Sequence, residues 1–195
     1  MVVKTSTTKL HWNYFIALER DLEAVSRFIE FDAANFETYS IELAHLLFAA
    51  ASEADVVAKL VCAYIDPTAK VGNIDQYKAV LMKGIPSLPT TKVYVPRYGL
   101  TLEPWSNWGG PTNPDWWRSY NNVKHERSAH FNQATLKNAL NALAGLMVLT
   151  CFYYCWHLAP SGMAALYAKD AMQELVPGST LLRLEDGWYY QHLIV

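Results

Sequence analysis

The chain has 195 residues, a hydrophobic fraction of 52%, a charged fraction of 17% and a formal net charge of −2. This composition excludes a disordered chain and is typical of one globular domain with a large core. No overall basic field surrounds such a chain, so any contact with nucleic acid has to come from a local patch. An odd number of cysteines, three, favours a reducing cytoplasm over a disulfide scaffold.

Helical periodicity accounts for most of the chain. Apolar residues recur at intervals of three and four from Leu10 to about Ile29, with acidic residues such as Glu19 on other faces, and predict an amphipathic helix. A long Ala/Leu-rich helix is predicted over 35–65, because Pro67 cannot continue it. Further helices are predicted over 73–84, 132–158 and 163–175.

Two regions favour β structure. Residues 85–113 carry most of the prolines, and the runs TKVYV and LTLEPW flank a Pro-Arg-Tyr-Gly turn, which predicts a two-stranded excursion over 92–105. In the tail, Asp186-Gly187 between β-rich runs predicts a hairpin within 179–195. The predicted fold is therefore mainly α: one domain over 1–195, a helical bundle with a β insertion in 85–113 and a C-terminal hairpin.

The most polar stretch of the chain is WWRSYNNVKHERSAHF, residues 116–131. Asn113 as N-cap and Pro114 as first helical residue predict that a helix over 114–128 begins here. At about 100° per residue, Arg118, Asn121, Asn122 and His125 share one face and the aromatic residues lie opposite. An ordinary solvated face is one interpretation. Adjacent asparagines cost helix propensity, however, and an Arg/Asn/His face suits phosphate and hydroxyl groups.

Arg118 and His125, separated by six residues, resemble the Arg-x4-6-His motif of the HEPN superfamily (higher eukaryotes and prokaryotes nucleotide-binding). The surrounding PDWWRSYNNVKHERSAHFNQATLKNALNALAGL is similar to a run found in many bacterial HEPN-like proteins. The Ser-Glu-x-Asp-x3-Lys pattern from Ser52 to Lys59 resembles the acidic spot on an earlier helix of that superfamily. The similarity covers residues 35–65 and 114–158.

The resemblance implies a HEPN-like bundle that forms a two-fold homodimer and cleaves RNA without metal or cofactor, in a cytoplasmic toxin–antitoxin or phage-defence setting. The ribose 2′-OH attacks the adjacent phosphorus and leaves a 2′,3′-cyclic phosphate. His125 is the implied general acid/base and Arg118 the implied phosphate ligand, with an antitoxin or defence-system protein as a further partner.

Supporting roles are predicted for neighbouring polar residues. Asn121 would hold His125 or the phosphate, while Glu53 or Asp55 would orient Arg118. Lys124 and Arg127 would grip flanking phosphates, and Asn122 shares the face. The residue after Arg118 is Ser119, where active members usually carry Asn, Asp or His. A non-catalytic HEPN-like module that dimerises and binds nucleotide or RNA is therefore the alternative.

Other conspicuous residues are expected to pack in the core. Cys151 and Cys155 lie on the apolar run 142–159, and His157 points away from both, so buried thiols are favoured over a metal site. That run is at the short limit for a membrane span, and a buried central helix is favoured. The N-terminus lacks the apolar region of a signal peptide. Four tryptophans are expected to pack the Pro/Gly-rich loop instead of lining a stacking groove: Trp105, Trp108, Trp116 and Trp117.

Overall fold

A computed structural model describes residues 8–161 and 163–190, and it is mainly helical. Over these residues the α-helices are α1 (Leu10–Val25), α2 (Ile41–Ile65), α3 (Ile74–Gly84), α4 (Asp115–His125), α5 (Arg127–His130), α6 (Leu136–His157) and α7 (Ala168–Glu174). The strands are β1 (Val93–Val95), β2 (Leu100–Leu102) and β3 (Arg183–Leu184). The prediction of a mainly α fold with a small β component is confirmed.

The centre of the fold is the pair of long helices α2 and α6, against which α1, α3 and α4 pack. Almost every residue of α6 from Leu136 to Cys155 is buried. By length and composition α6 is the one helix within the described residues that could cross a bilayer, but 83% of its most apolar window is buried inside the protein. The prediction of a buried central helix is therefore confirmed.

Helix ends follow the local caps. The Ser40 hydroxyl accepts from the Leu43 N–H at 3.1 Å, so α2 begins at Ile41 and not near 35. The Thr135 hydroxyl accepts from the Asn138 N–H at 3.2 Å and begins α6 four residues later than predicted. The predicted helix over 114–128 was too long, because the non-helical backbone of Glu126 (φ −135°, ψ 57°) separates α4 from α5.

The sheet is antiparallel, in the order β2-β1-β3. Val93 faces Leu102 in the first pair of strands and Leu184 in the second. Gly99 takes a left-handed conformation (φ +62°) in the turn between β1 and β2, which a residue without Cβ adopts at little cost. The predicted excursion over 92–105 is confirmed.

The C-terminal hairpin was predicted wrongly for the residues that the structure describes. β3 pairs with β1, and Asp186–Trp188 forms a 3₁₀ turn. The two-residue hairpin turn expected from Asp-Gly needs positive φ at both central residues, and Gly187 does not adopt it. Residues 191–195 of that predicted hairpin lie outside the described residues.

A buried carboxylate attaches the C-terminal segment to α1. Glu19 is 1% exposed, and its oxygens accept from the N–H groups of Thr180 (3.1 Å), Leu181 (3.1 Å) and Leu182 (2.9 Å) and from the Ser179 hydroxyl. Glu19 is thus buried although it does not belong to the apolar periodicity of α1. Four donors compensate the carboxylate for its lost hydration.

At Gly145 of α6, one tryptophan of α4 and one of the Pro/Gly-rich loop pack close to the central helix. A Cβ at this position would lie 3.0 Å from Trp116 Cζ2 and 3.4 Å from Trp105 Cζ2. Both rings are held: the Trp116 indole N–H donates to the Pro104 carbonyl at 2.8 Å, and that of Trp105 to the Gly145 carbonyl at 3.3 Å. A shift of either ring away from position 145 would strain one of these hydrogen bonds.

We expect Gly145→Ala to lower the free energy of unfolding by about 0.5–2 kcal/mol. Overpacking costs roughly 1–3 kcal/mol, and the helix propensity gained returns only about 1 kcal/mol. Urea denaturation followed by circular dichroism measures the difference. Gly187→Ala is the control, because a Cβ there meets nothing within 4 Å and the change should stay within about 0.5 kcal/mol. A Gly145→Ala protein more stable than the wild type would contradict the packing argument.

Candidate functional site

The helix α4 has two distinct faces. Trp116, Tyr120 and Val123 are buried, whereas Arg118 and His125 are exposed. We call the opposite side the front of α4, and it consists of Arg118, Asn121, Asn122 and His125. The face predicted from helical periodicity is confirmed, with Asn121 half-buried at its edge.

Tryptophans hold α4 against the core. Trp105, Trp108, Trp116 and Trp117 are all buried, with 1–8% exposure. Trp116 packs edge to face against Trp105, with ring centroids 5.2 Å apart, and the Trp108 indole N–H donates to the Asn113 side-chain oxygen at 3.1 Å. The prediction that these residues pack the loop is confirmed, and they offer no stacking groove.

The predicted N-cap of α4 was wrong. Asn113 makes no capping bond, because its oxygen accepts from Trp108 and its amide donates to Asp75 at 2.9 Å. The helix starts at Asp115, whose carboxylate lies in the first turn, where the helix dipole favours negative charge.

Arg118 forms an ion pair with Asp115, one turn earlier on the same helix, and its side chain is 57% exposed. An exposed pair of this kind contributes about 0–1 kcal/mol. A guanidinium carries five N–H donors, and the recorded contact with Asp115 involves one of its nitrogens. Arg118 is thus held in place by Asp115 and retains donors for a phosphate.

His125 ends α4 and is exposed. Within residues 8–161 and 163–190 its ring has no hydrogen bond or ion pair. Asn121 does not hold it, because the Asn121 amide donates to the Trp117 carbonyl of its own helix at 2.9 Å. That part of the prediction is wrong, and the imidazole is available to a ligand.

The remaining polar residues around the front fasten the segment that follows α4. The Asn122 amide donates to the Gln133 side-chain oxygen at 3.0 Å, and Gln133 in turn lies 3.2 Å from His130 Nδ1. Lys124 lies 5.3 Å from the centre of the Tyr120 ring, and Arg127, now on α5, lies 5.1 Å from the Phe131 ring. Both cations are exposed at the end of the front that contains His125.

Glu53 and Asp55 do not orient Arg118, contrary to the prediction. Glu53 lies 2.6 Å from His11 Nδ1 of α1, and Asp55 pairs with Lys59 and accepts from the Tyr77 hydroxyl at 2.9 Å. Burial, and then the neighbouring Asp55, raises the pKa of Tyr77 to about 12, so that phenol stays a donor. Glu53 and Asp55 therefore link α2 to α1 and α3. The carboxylate that pairs with Arg118 is that of Asp115.

A polar groove of about 600 Å³ lies beside Arg118, between the start of α3 and α4. Arg118 is the cation in its lining, and His125 is not part of the lining. The remaining lining is mostly amide and apolar: Ile74, Asn113, Asp115, Trp117, Ser119, Asn121, Asn122 and Gln133. Its donors and acceptors suit a polar, phosphate-bearing ligand.

No group of three or more His, Cys, Asp or Glu side chains with metal-binding geometry occurs in the described part of the chain. Cys151 and Cys155 are buried, and burial raises the pKa of the Cys155 thiol to about 11. The exposed His157 instead lies 3.0 Å from the Tyr64 hydroxyl. The prediction that both thiols are buried is confirmed.

Two contacts near the site had no local sequence signal. Ser119 is buried, and its hydroxyl accepts from the Asn138 amide of α6 at 3.0 Å. The same amide donates to the Gln133 carbonyl at 2.9 Å. Ser119 therefore contacts the start of α6, and Asn138 joins α4, α6 and the segment between them.

No protein-family model, no curated protein and no solved structure matches the chain.

We expect Ser119→Ala to lower the free energy of unfolding by about 0.5–1.5 kcal/mol, because the Asn138 amide loses one of its two acceptors. Urea denaturation measures the loss. Ser52→Ala, at an exposed position of α2, is the matched control and should leave stability unchanged. If Ser119→Ala leaves the free energy of unfolding unchanged, the Ser119–Asn138 hydrogen bond contributes nothing to stability.

Proposed function

We propose that the protein is a metal-independent endoribonuclease of the HEPN type, acting as a two-fold homodimer on an up-and-down bundle. The observation that carries the proposal is the front of α4, where Arg118 and an unpartnered His125 are exposed together on one face. The residue pattern supports a cytoplasmic role in a toxin–antitoxin or phage-defence system, with an antitoxin or defence-system protein as partner.

Each exposed group matches one requirement of the chemistry. The ribose 2′-OH must lose a proton as it attacks phosphorus, and the departing 5′-oxygen must gain one. The His125 imidazole is a group that exchanges protons near neutral pH. The phosphorane carries extra negative charge, which the remaining N–H donors of Arg118 stabilise in a forked contact. Lys124 and Arg127 provide charge for flanking phosphates.

The spacing of the two groups favours a dimer. Seven residues of helix separate Arg118 from His125 by about 10 Å along the axis, too far for both to serve one phosphate with ease. If two α4 helices pair antiparallel about an axis near Asn121 and Asn122, Arg118 lies opposite His125 of the partner subunit. Two composite sites then form in one cleft.

A second candidate function rests on a different observation. The polar groove beside Arg118 is lined by amides and not by His125. A groove with a cation and hydrogen-bonding groups but no histidine is suited to binding nucleotide or RNA without cleavage. This is the non-catalytic HEPN-like module.

We expect the purified protein to cleave single-stranded or structured RNA in the presence of EDTA and to leave 2′,3′-cyclic phosphate ends. His125→Ala should lower the rate by about 10²–10⁴-fold, because the proton-transfer group is lost. Arg118→Ala should lower it by roughly 10²–10³-fold, and Arg118→Lys should rescue it only in part, since an ammonium cannot form the fork. Cleavage of end-labelled RNA measures the rates.

Arg20→Ala on α1 and His45→Ala on α2 are matched controls, because both side chains are exposed away from α4. They should cleave at the wild-type rate. If the Arg118→Ala/His125→Ala double variant cleaves as fast as the wild type, another site or a contaminant is responsible. If the wild type cleaves no RNA class yet dimerises and binds nucleotide, the binding module is the correct function.

We expect a dimer in light scattering at tens of micromolar and complementation between the two single variants. When Arg118→Ala and His125→Ala chains are co-expressed, half of the dimers mix the chains and each has one intact composite site, so about a quarter of the wild-type activity should return. The same chains purified separately and assayed unmixed are the control. A monomeric protein, or activity without need of mixing, would contradict the composite site.

A further inference from the structure

A second depression, of about 280 Å³, lies between the N-terminal ends of α4 and α6. Asp115 lines this depression as well as the groove that holds Arg118, so the two are neighbours across one side chain. We call it the base pocket. Its lining includes Phe36, Glu103, Asn107, Asn138 and Asn141.

The asparagines of the base pocket present oxygen atoms. The Asn138 amide nitrogen donates to Ser119 and to the Gln133 carbonyl, which uses both of its hydrogens. The Asn141 amide nitrogen donates to the Lys137 carbonyl at 2.9 Å. Neither Oδ1 has a partner in the described chain, and the one buried unpartnered side-chain N or O atom there is the hydroxyl of Thr150. The Asn138 oxygen is therefore accessible.

Two carboxylates add further acceptors. Glu103 is 47% exposed and lies 3.7 Å from Lys92, and Asp115 is shared with the Arg118 groove. With two amide oxygens and two carboxylates, the pocket is rich in acceptors. An exocyclic amino group is a donor that adenine, cytosine and guanine carry and that uracil lacks, because the donor on the base edge of uracil is its ring N3–H.

Two other side chains could contact the face of the base and a phosphate. Phe36 is half-buried at the wall of the pocket, and its ring offers a surface on which a base can stack. Lys137 is exposed in the first turn of α6 and has no hydrogen bond or ion pair from its side chain in the described residues. Its charge is available to a phosphate.

We propose that the base pocket holds the base of the RNA nucleotide next to the phosphate bound by Arg118, and that it selects bases carrying an exocyclic amino group. This rests on the proposed function for the identity of the substrate. Asn138 and Asn141 supply the acceptors, Asn107 supplies a further amide, and Asp115 separates the base from the phosphate.

Binding without chemistry tests the pocket first. Isothermal titration of the full chain with adenosine, cytidine and uridine 5′-monophosphates should give affinities about tenfold higher for the two amino-bearing nucleotides than for uridine monophosphate. Asn141→Ala should abolish the difference. Asn107→Ala should reduce it. The Asn107 side chain forms no hydrogen bond within the described residues, so the fold should tolerate this change and misfolding would not explain the loss. Asn13→Ala, an exposed asparagine on α1, should bind as the wild type does.

Equal affinities for the three nucleotides, or a preference that survives both pocket variants, would overturn the proposal. The positions of the cuts in RNA then show whether the pocket binds a base of the RNA or only free nucleotides. Wild-type cuts in an RNA of mixed sequence should lie beside amino-bearing bases, and Asn141→Ala should distribute them evenly. A nucleotide preference with evenly distributed wild-type cuts would mean that the pocket takes free nucleotides, which also overturns the proposal.

The two proposals fail separately. If no RNA is cleaved but both RNA and the monophosphates bind with the amino-base preference and Asn141→Ala removes that preference, the base pocket stands and the nuclease does not. If cleavage depends on Arg118 and His125 but neither binding nor cutting depends on the base, the nuclease stands and the pocket does not.

Discussion

The packing of Trp116 and Trp105 on Gly145 is the contact on which the site depends. A residue without a side chain in the middle of α6 lets two indoles approach the helix backbone, and each indole N–H finds a carbonyl. The buried side of α4 is thereby fixed. Because one side of α4 is packed against the core, the opposite side faces solvent, and Arg118 and His125 are exposed together.

Hydrogen bonds between α4, α6 and Gln133 position the segment that follows the front of α4. Asn138 donates to Ser119 of α4 and to the Gln133 carbonyl, and Asn122 reaches the Gln133 side chain. These bonds fold residues 126–133 back toward α4 and place the N-terminus of α6 beside it. The groove next to Arg118 and the base pocket are both consequences of this arrangement, since each lies along α4 and shares Asp115.

The ion pair at the site is exposed, so breaking it costs little free energy. Arg118 is held by an exposed carboxylate, whereas Glu19 accepts four hydrogen bonds in the interior. Exchanging an exposed partner for a phosphate costs little, while uncovering Glu19 would leave backbone donors unsatisfied. Binding at the front can therefore occur without disturbing the attachment of the C-terminal segment to α1.

Local periodicity was sufficient for the faces of α4, the burial of α6 and the strands around Gly99, because each depends on residues close in the chain. Contacts between distant residues were not predictable in this way. Glu19 meets residues 179–182, Glu53 meets His11, and β3 pairs with the distant strand β1. The sequence of an amphipathic helix does not show whether another segment will cover one of its carboxylates. The sequence of a strand likewise does not show which other strand it will pair with. Tertiary packing decided both, since only the folded chain brings the covering segment and the partner strand within hydrogen-bonding distance.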